Sequence, residues 1–241
     1  MKVSMVIPCA PKDFYKLCHM LNFTANCSKK PDEVVLGISQ IHMFQQDELE
    51  KVQRLGPTLF KEFKITGVVD KHWPGPNRQR ASEMATGDII IYQDADDLPH
   101  FQRVEHISRF FEERDIVHLN SAYFHSAFTY ESRIKFEDIK TVESDIIYKR
   151  YFPTGNLKEC TKVTWSYGYD LGFPFPLIHV GATSIRRSVL EKIQWKDVKD
   201  LTLCEDPGSV HRTEDYEFCM SLLHTFNKSL LIDAPLYYYY T

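Results

Sequence analysis

A chain of 241 residues is long enough to bury a substantial core as one large α/β domain, and its 43% hydrophobic content is ordinary for a globular protein. The formal net charge of −4, with Lys and Arg scattered among acids, leaves no basic stripe and argues against a nucleic-acid partner. An anionic small substrate would need local help from a metal or a few arginines. The opening Met1–Pro8 is too short and too soon interrupted for a signal peptide, and no stretch approaches 18 consecutive apolar residues, so no transmembrane segment is expected. The six cysteines, at positions 9, 18, 27, 160, 204 and 219, form no Cys-x-x-Cys pair and sit mostly among apolar residues. Buried reduced thiols and a cytoplasmic setting are expected.

Strands and helices alternate along the first half. Lys2 to Pro8 reads as a strand that stops at proline, followed by a helix from about Lys12 to Phe23 with Phe14, Leu17, Cys18, Met20 and Leu21 on one apolar stripe. Glu33 to Ile38 is a second strand, Gln45 to Leu55 a helix, and Lys61 to Val69 contains a third strand before Trp73-Pro74-Gly75-Pro76 breaks the chain. Asn77 to Ala85 reads as a helix with Gly87 just past its end, where a left-handed residue is easily accommodated. The second half is less regular. A helix is expected over Leu98 to Glu113, a strand over Asp115 to Ser121, an irregular stretch over Ser144 to Val163, a loop over Gly168 to Pro176, a helix over Ser184 to Ile193, and a closing strand of structural tyrosines at Tyr237 to Tyr240. The alternation argues for a largely parallel sheet, whose ligands sit at the carboxyl ends of the strands, where Pro8 and Asp94 to Asp97 would fall.

The most informative segment is Gly87 to Asp97, an apolar run of Ile89, Ile90, Ile91 and Tyr92 that ends in three carboxylates within four residues. Side chains two apart in an extended chain share a face, which puts Asp94 and Asp96 about 6–7 Å apart. Their repulsion would be about 2–3 kcal/mol at an effective dielectric near 20, and a divalent cation would remove it. Hard oxygen ligands favour magnesium, manganese or calcium over zinc. A solvated acidic turn after a strand is the alternative reading of the same residues.

Four pieces of the chain together resemble family 2 glycosyltransferases: Val3 to Pro8, Asn77 to Asp88 with Tyr92 to Pro99, Gly181 to Leu190, and Thr213 to Phe218. The second is similar to the family's Ala-Arg-Asn helix leading to an Asp-x-Asp-Asp strand, and the fourth to its Glu-Asp motif. They occur in the family's order. The resemblance implies a GT-A fold, that is, an α/β Rossmann-like nucleotide-diphospho-sugar transferase fold with a mostly parallel sheet flanked by helices. It would be a single domain over 1–241, with about 1–100 binding the nucleotide sugar and about 101–241 the acceptor.

What the resemblance implies for chemistry is transfer of a sugar from a nucleotide-diphosphate sugar, UDP-sugar first, to a hydroxyl of a glycan or other acceptor, with Mn2+ or Mg2+. A cation stabilises the charge that the departing diphosphate gains. Asp96 is the first choice of metal ligand, Asp94 a contact to the ribose or donor sugar or a second ligand, and Asp97 a support or a ligand through water. Arg78 falls at the family's arginine, whose planar fork suits a diphosphate. Asp215 matches the catalytic base of inverting members, with Glu214 beside it. Thr213 could equally cap a helix whose first turn favours Glu214 and Asp215.

Other residues are weaker candidates. His211 could be a metal or phosphate ligand or a surface residue, and His179 has the same ambiguity. Trp165, Tyr167, Tyr169, Phe173 and Phe175 could stack on an acceptor sugar or simply cluster. The second strand ends without the family's usual acid, leaving Ser39 to meet the base, and Cys9-Ala10-Pro11 replaces the aromatic and asparagine expected after the first strand. GDP and dTDP therefore stay open beside UDP. The rival readings are a catalytically silent nucleotide-sugar or glycan-binding module and a sugar nucleotidylyltransferase. The latter is disfavoured because no glycine-rich basic loop follows the first strand.

Overall fold

Short strands and helices alternate along the first hundred residues, and the first four strands are parallel. The computed structural model describes residues 1–125, 132–152, 154–156, 180–202 and 213–239. Strands β1 (Val3–Cys9), β2 (Glu33–Ile38), β3 (Glu62–Gly67) and β4 (Ile89–Tyr92) lie side by side in the order β3-β2-β1-β4, all parallel. Every residue of β1, β2 and β4 is buried, as strands covered on both faces require. Alternation divides them between two apolar clusters: Met5, Ile7 and Cys9 pack with α1 (Phe14–Ala25), while Val6 packs with Val35, Ile90 and Ala81 of α3 (Pro74–Met84). Helix α2 (Gln46–Leu59) sends Val52 into the first of these clusters.

Beyond β4 the sheet changes character. It continues with β8 (Thr183–Arg186), β6 (His118–His125), β9 (Ser229–Tyr239) and β5 (Leu98–Pro99), while β7 (Thr141–Glu143) also pairs with β9. Strand β8 runs antiparallel to both β4 and β6, and β6 runs parallel to β9. Three further helices, α4 (Arg103–Glu113), α5 (Ser144–Tyr151) and α6 (Thr213–Phe226), complete the described elements. None of the described helices is long and apolar enough to cross a membrane.

Several expectations need correction. Helix α3 starts at Pro74 and so includes the prolines expected to break the chain; in a first turn their missing N–H groups have no intrahelical partner to lose. Gly87 is not a left-handed cap: its amide donates to Ser4 Oγ at 2.9 Å, and a Cβ there would crowd that side chain. Helix α2 runs past Leu55 through Pro57, which costs only a bond of the last turn. Residues 98 and 99 pair with Tyr238 and Tyr237 as β5, so α4 begins only at Arg103. Ser144–Tyr151 is helical, and Thr183–Arg186 is a strand followed by a 3-10 turn at Arg187–Glu191. In β8 sheet neighbours on both sides override a sequence too short to show a period. The expected loop at Gly168 to Pro176 lies outside the described residues.

Two buried charged networks flank the sheet. At the amino end, the Glu33 carboxylate accepts bonds from Ser4 Oγ, Lys64 Nζ and both the amide and hydroxyl of Thr86. Burial would raise its pKa, yet Lys64, Ser4 and Thr86 outweigh that and hold it down to about 2. The second network lies at the carboxyl end, where the strands open into a cleft.

Candidate active site

The carboxyl ends of β1, β2 and β4 form the floor of a cleft of about 680 Å³, bordered by Pro8, Ser39, Arg78, Asp94 to Asp97, Glu214 and Asp215. Parallel strands place ligands at such an edge. Thus the expected residues from β1, β2, α3, the acidic turn and α6 meet around one space, although 136 residues separate Arg78 from Glu214. Among the described cysteines, Cys9, Cys27 and Cys219 are buried, Cys18 is half-buried, and all four are free thiols. Cys160, Cys204, His211, His179, Trp165, Tyr167, Tyr169, Phe173, Phe175 and Tyr240 lie outside the described residues.

Arg78 occupies the centre. Its side chain is 3% exposed and donates to Glu214 Oε1 at 2.9 Å and Asp94 Oδ1 at 2.6 Å, with Asp215 Oδ1 at 3.5 Å. The ring of Trp195 lies 5.2 Å from the guanidinium, stacked in turn on Phe218. Burial alone would lower the pKa of Arg78, but Asp94, Asp215 and Glu214 push it net upward, so it stays charged. The sequence suggested a diphosphate for this fork; in the structure it joins the acidic turn to the start of α6.

The two acids of α6 differ. Glu214 is buried, accepts the Gly75 amide at 3.1 Å as well as Arg78, and has its pKa raised, by burial first, against the opposing pull of Arg78. A side chain on Gly75 would collide with Lys196 and crowd Glu214, so glycine is required for this close approach. Asp215 borders the cleft with 20% of its side chain exposed, against 5% for Glu214. It is therefore the more accessible of the two to a substrate.

The acidic turn is braced from beneath. Gln93 Nε2 donates to the carbonyls of Asp94 and Asp97, at 3.2 and 3.1 Å, and the Asp97 amide closes the turn on Asp94 O at 3.4 Å. Fully buried Arg103 donates to Gln93 Oε1, to Tyr92 O at 2.7 Å and to Gly181 O, and burial lowers its pKa to about 10. The Tyr237 hydroxyl from β9 meets Asp94 Oδ2 at 3.0 Å and also Asp97 Oδ2. Sequence reasoning missed Arg103 and treated Tyr237 as structural; the available signal was that a buried tyrosine hydroxyl needs a polar partner.

A divalent cation fits the donor chemistry of this turn. Asp96 is half-buried at the cleft, and its pKa is raised by burial first and then by Asp94 and Asp13. Asp13 is raised in the same way, by burial and Asp94, although Lys12 opposes. A cation would reverse such shifts, and hard oxygen donors suit Mg2+ or Mn2+, which keep waters and need few protein ligands. Among the described residues no three His, Cys, Asp or Glu side chains assemble a metal-ligand group. Phosphate oxygens and water would have to complete the coordination.

The family model for Glycosyl transferase family 2 matches residues 49–193, more than half of the chain. This chain belongs to glycosyl transferase family 2. Solved structures of similar fold include a mannosyltransferase and a glucosyl-3-phosphoglycerate synthase. S. aureus TarS 1-349 in complex with UDP-GlcNAc has a TM-score of 0.62 at 17% identity, over 99% of this chain and 58% of that one. The mannosyltransferase PcManGT from Pyrobaculum calidifontis, in complex with GDP-Man and Mn2+, has a TM-score of 0.57 at 14% identity, over 99% and 56%. Glucosyl-3-phosphoglycerate synthase from Mycobacterium tuberculosis, in complex with Mn2+, UDP and glucosyl-3-phosphoglycerate, has 0.56 at 12% identity, over 98% and 71%. This chain spans 60% of the TarS 1-349 chain and only 37% of the longer S. aureus TarS chain. A comparison with curated proteins found no match. The mixed α/β sheet agrees with the GT-A fold expected from the motifs.

Proposed function

We propose that this chain transfers a sugar from a nucleotide-diphosphate sugar, a UDP-sugar first, to a hydroxyl of a glycan or other acceptor, with inversion and with Asp215 as general base. The observation that carries this reading is the meeting of Asp215 and the acidic turn across one cleft, joined by Arg78. The donor-binding half would be about 1–100 and the acceptor-binding half about 101–241, in one domain.

The base and ribose would lie over Pro8 and Ser39 at the ends of β1 and β2. Asp96, with Asp94, would hold Mn2+ or Mg2+, which when bound stabilises the charge on the departing diphosphate. Asp97 would support that turn. Arg78 would fix Asp94 and Asp215 relative to one another, which matters because misplacing a reacting group by an ångström is costly. Asp215 would take the proton of the acceptor hydroxyl as its oxygen attacks the anomeric carbon. Glu214, buried behind it, would anchor Arg78 and the start of α3. The UDP-GlcNAc of TarS and the GDP-Man of PcManGT support a nucleotide-sugar donor and leave the base open.

The test is Asp215→Asn. Transfer should fall by about 10²–10⁴-fold while binding of the donor nucleotide is retained. A catalytically silent binding module would have no transfer to lose, and transfer that survives the change would remove Asp215 from the role of base. Product with the donor's anomeric configuration preserved would overturn inversion.

A further inference from the structure

The acidic turn carries three aspartates, but their surroundings are unequal. Asp94 has one oxygen on Arg78 and the other on Tyr237. Asp97 is 1% exposed and its Oδ2 also meets the Tyr237 hydroxyl, which therefore sits between the first and last acids of the turn. Asp96 lies between them in sequence and faces the cleft, half-buried. Tyr237 itself is fully buried, reaches the turn from β9, and packs its ring against the Arg103 guanidinium at 5.1 Å and against Gly181, where any side chain would strike the ring. The hydroxyl has little freedom to move elsewhere.

We infer that Tyr237 is a positioning residue of the donor site: its hydroxyl holds Asp94 and Asp97 in place, so that Asp96 is presented to a divalent cation and Asp97 acts as a brace and not as a ligand. The inference rests on the transferase reading for the identity of the donor, but it is read on the metal. One phenol O–H shared by two carboxylates reduces their mutual repulsion and fixes their rotamers. Arg103, through Gln93, fixes the backbone of the same turn. The backbone of the turn is thus set by Gln93 and Arg103 close to it in sequence, and its side chains by Tyr237 near the far end of the sheet.

The experiment measures Mn2+ binding by electron paramagnetic resonance, with and without UDP, for the intact chain and for Tyr237→Phe, Asp97→Asn and the double variant. Tyr237→Phe keeps the ring, so the melting temperature without ligand should change little, while Mn2+ affinity should fall about tenfold, in the range seen when a partner that orients a metal ligand is lost. Asp97→Asn should cost a similar factor, and the double variant no more than the worse single one, because both break one contact. Unchanged Mn2+ affinity in Tyr237→Phe overturns the inference, even if its melting temperature drops. So does a much larger loss in Asp97→Asn, which would make Asp97 a ligand in its own right. If the unmodified chain takes up Mn2+ but UDP adds nothing, the donor assignment fails while the Tyr237 comparison stands. If it takes up no Mn2+ under either condition, both fall.

Discussion

The two ends of the parallel strands handle buried charge in opposite ways. At the amino end, Glu33 meets one cation, Lys64, and its remaining oxygen sites are filled by Ser4 and Thr86. At the carboxyl end, Arg78 faces Asp94, Glu214 and Asp215, and Lys12 lies 3.8 Å from Asp13, with Asp96 nearby. The first network is balanced, and its carboxylate is held well below the usual range. Among the described residues of the second, carboxylates outnumber cations, and burial first, with Asp94 adding to it, raises the pKa values of Glu214, Asp96 and Asp13. Charge balance suits a scaffold contact, and an excess of carboxylates beside an open cleft suits the binding of a cation.

The largest break in this contrast should come from Arg78→Met. It leaves three carboxylates clustered without their cation, and truncating one partner of a buried ionic network costs about 3–5 kcal/mol. Urea denaturation should register that loss, together with loss of transfer. Glu33→Gln should cost less, about 1–3 kcal/mol, because 31% of the Lys64 side chain already reaches solvent and can be hydrated there. It should leave Mn2+ and nucleotide binding as they were; a binding defect in Glu33→Gln would erase the distinction between scaffold and site.

The smallest and sharpest contrast is in pH dependence. Glu33 has a folded pKa of about 2, below its ordinary 4.5, so it binds a proton more readily when unfolded. Its stabilisation is present above about 4.5 and is lost as pH falls toward 2. Glu214 has the opposite sign: its folded pKa is raised, so the folded state holds the proton more tightly. Its contribution is present below the unfolded value and is lost as pH rises through the folded one. Melting temperature against pH should therefore show a shallower acid limb in Glu33→Gln and a shallower loss as pH rises above the ordinary carboxylate range in Glu214→Gln. Parallel curves for both variants would contradict the assignment of opposite signs.

Local pattern made much of this legible. The run Ile89–Tyr92 and residues 34–38 that follow the buried Glu33 are strands as read, because burial on both faces favours a continuous apolar run. The acidic turn could be singled out as carboxylates at the end of an apolar run, whereas Glu214-Asp215 stood out only through the resemblance to the family's Glu-Asp motif. Their mutual arrangement could not, since the bonds of Arg78 to Glu214 and of Tyr237 to Asp97 join residues 136 and 140 positions apart. Strand β8 escaped for a related reason: Thr183-Ser184-Ile185-Arg186 is too short to show a period, and its strand state depends on the neighbours β4 and β6. Sequence reveals which groups are unusual, whereas the pairing of those groups is a property of topology.

That 140-residue span also sets the order in which the molecule can mature. Contacts between distant parts of a chain require closure of a long loop and tend to form late. The first four strands can pair through neighbouring βα units, with the acidic turn already at the end of β4. Its carboxylates acquire the tyrosine that braces them only when β9 docks beside β6 and β5. On that order the parallel strands pair first, and the acidic turn stays unbraced on its Tyr237 side until β9 has docked.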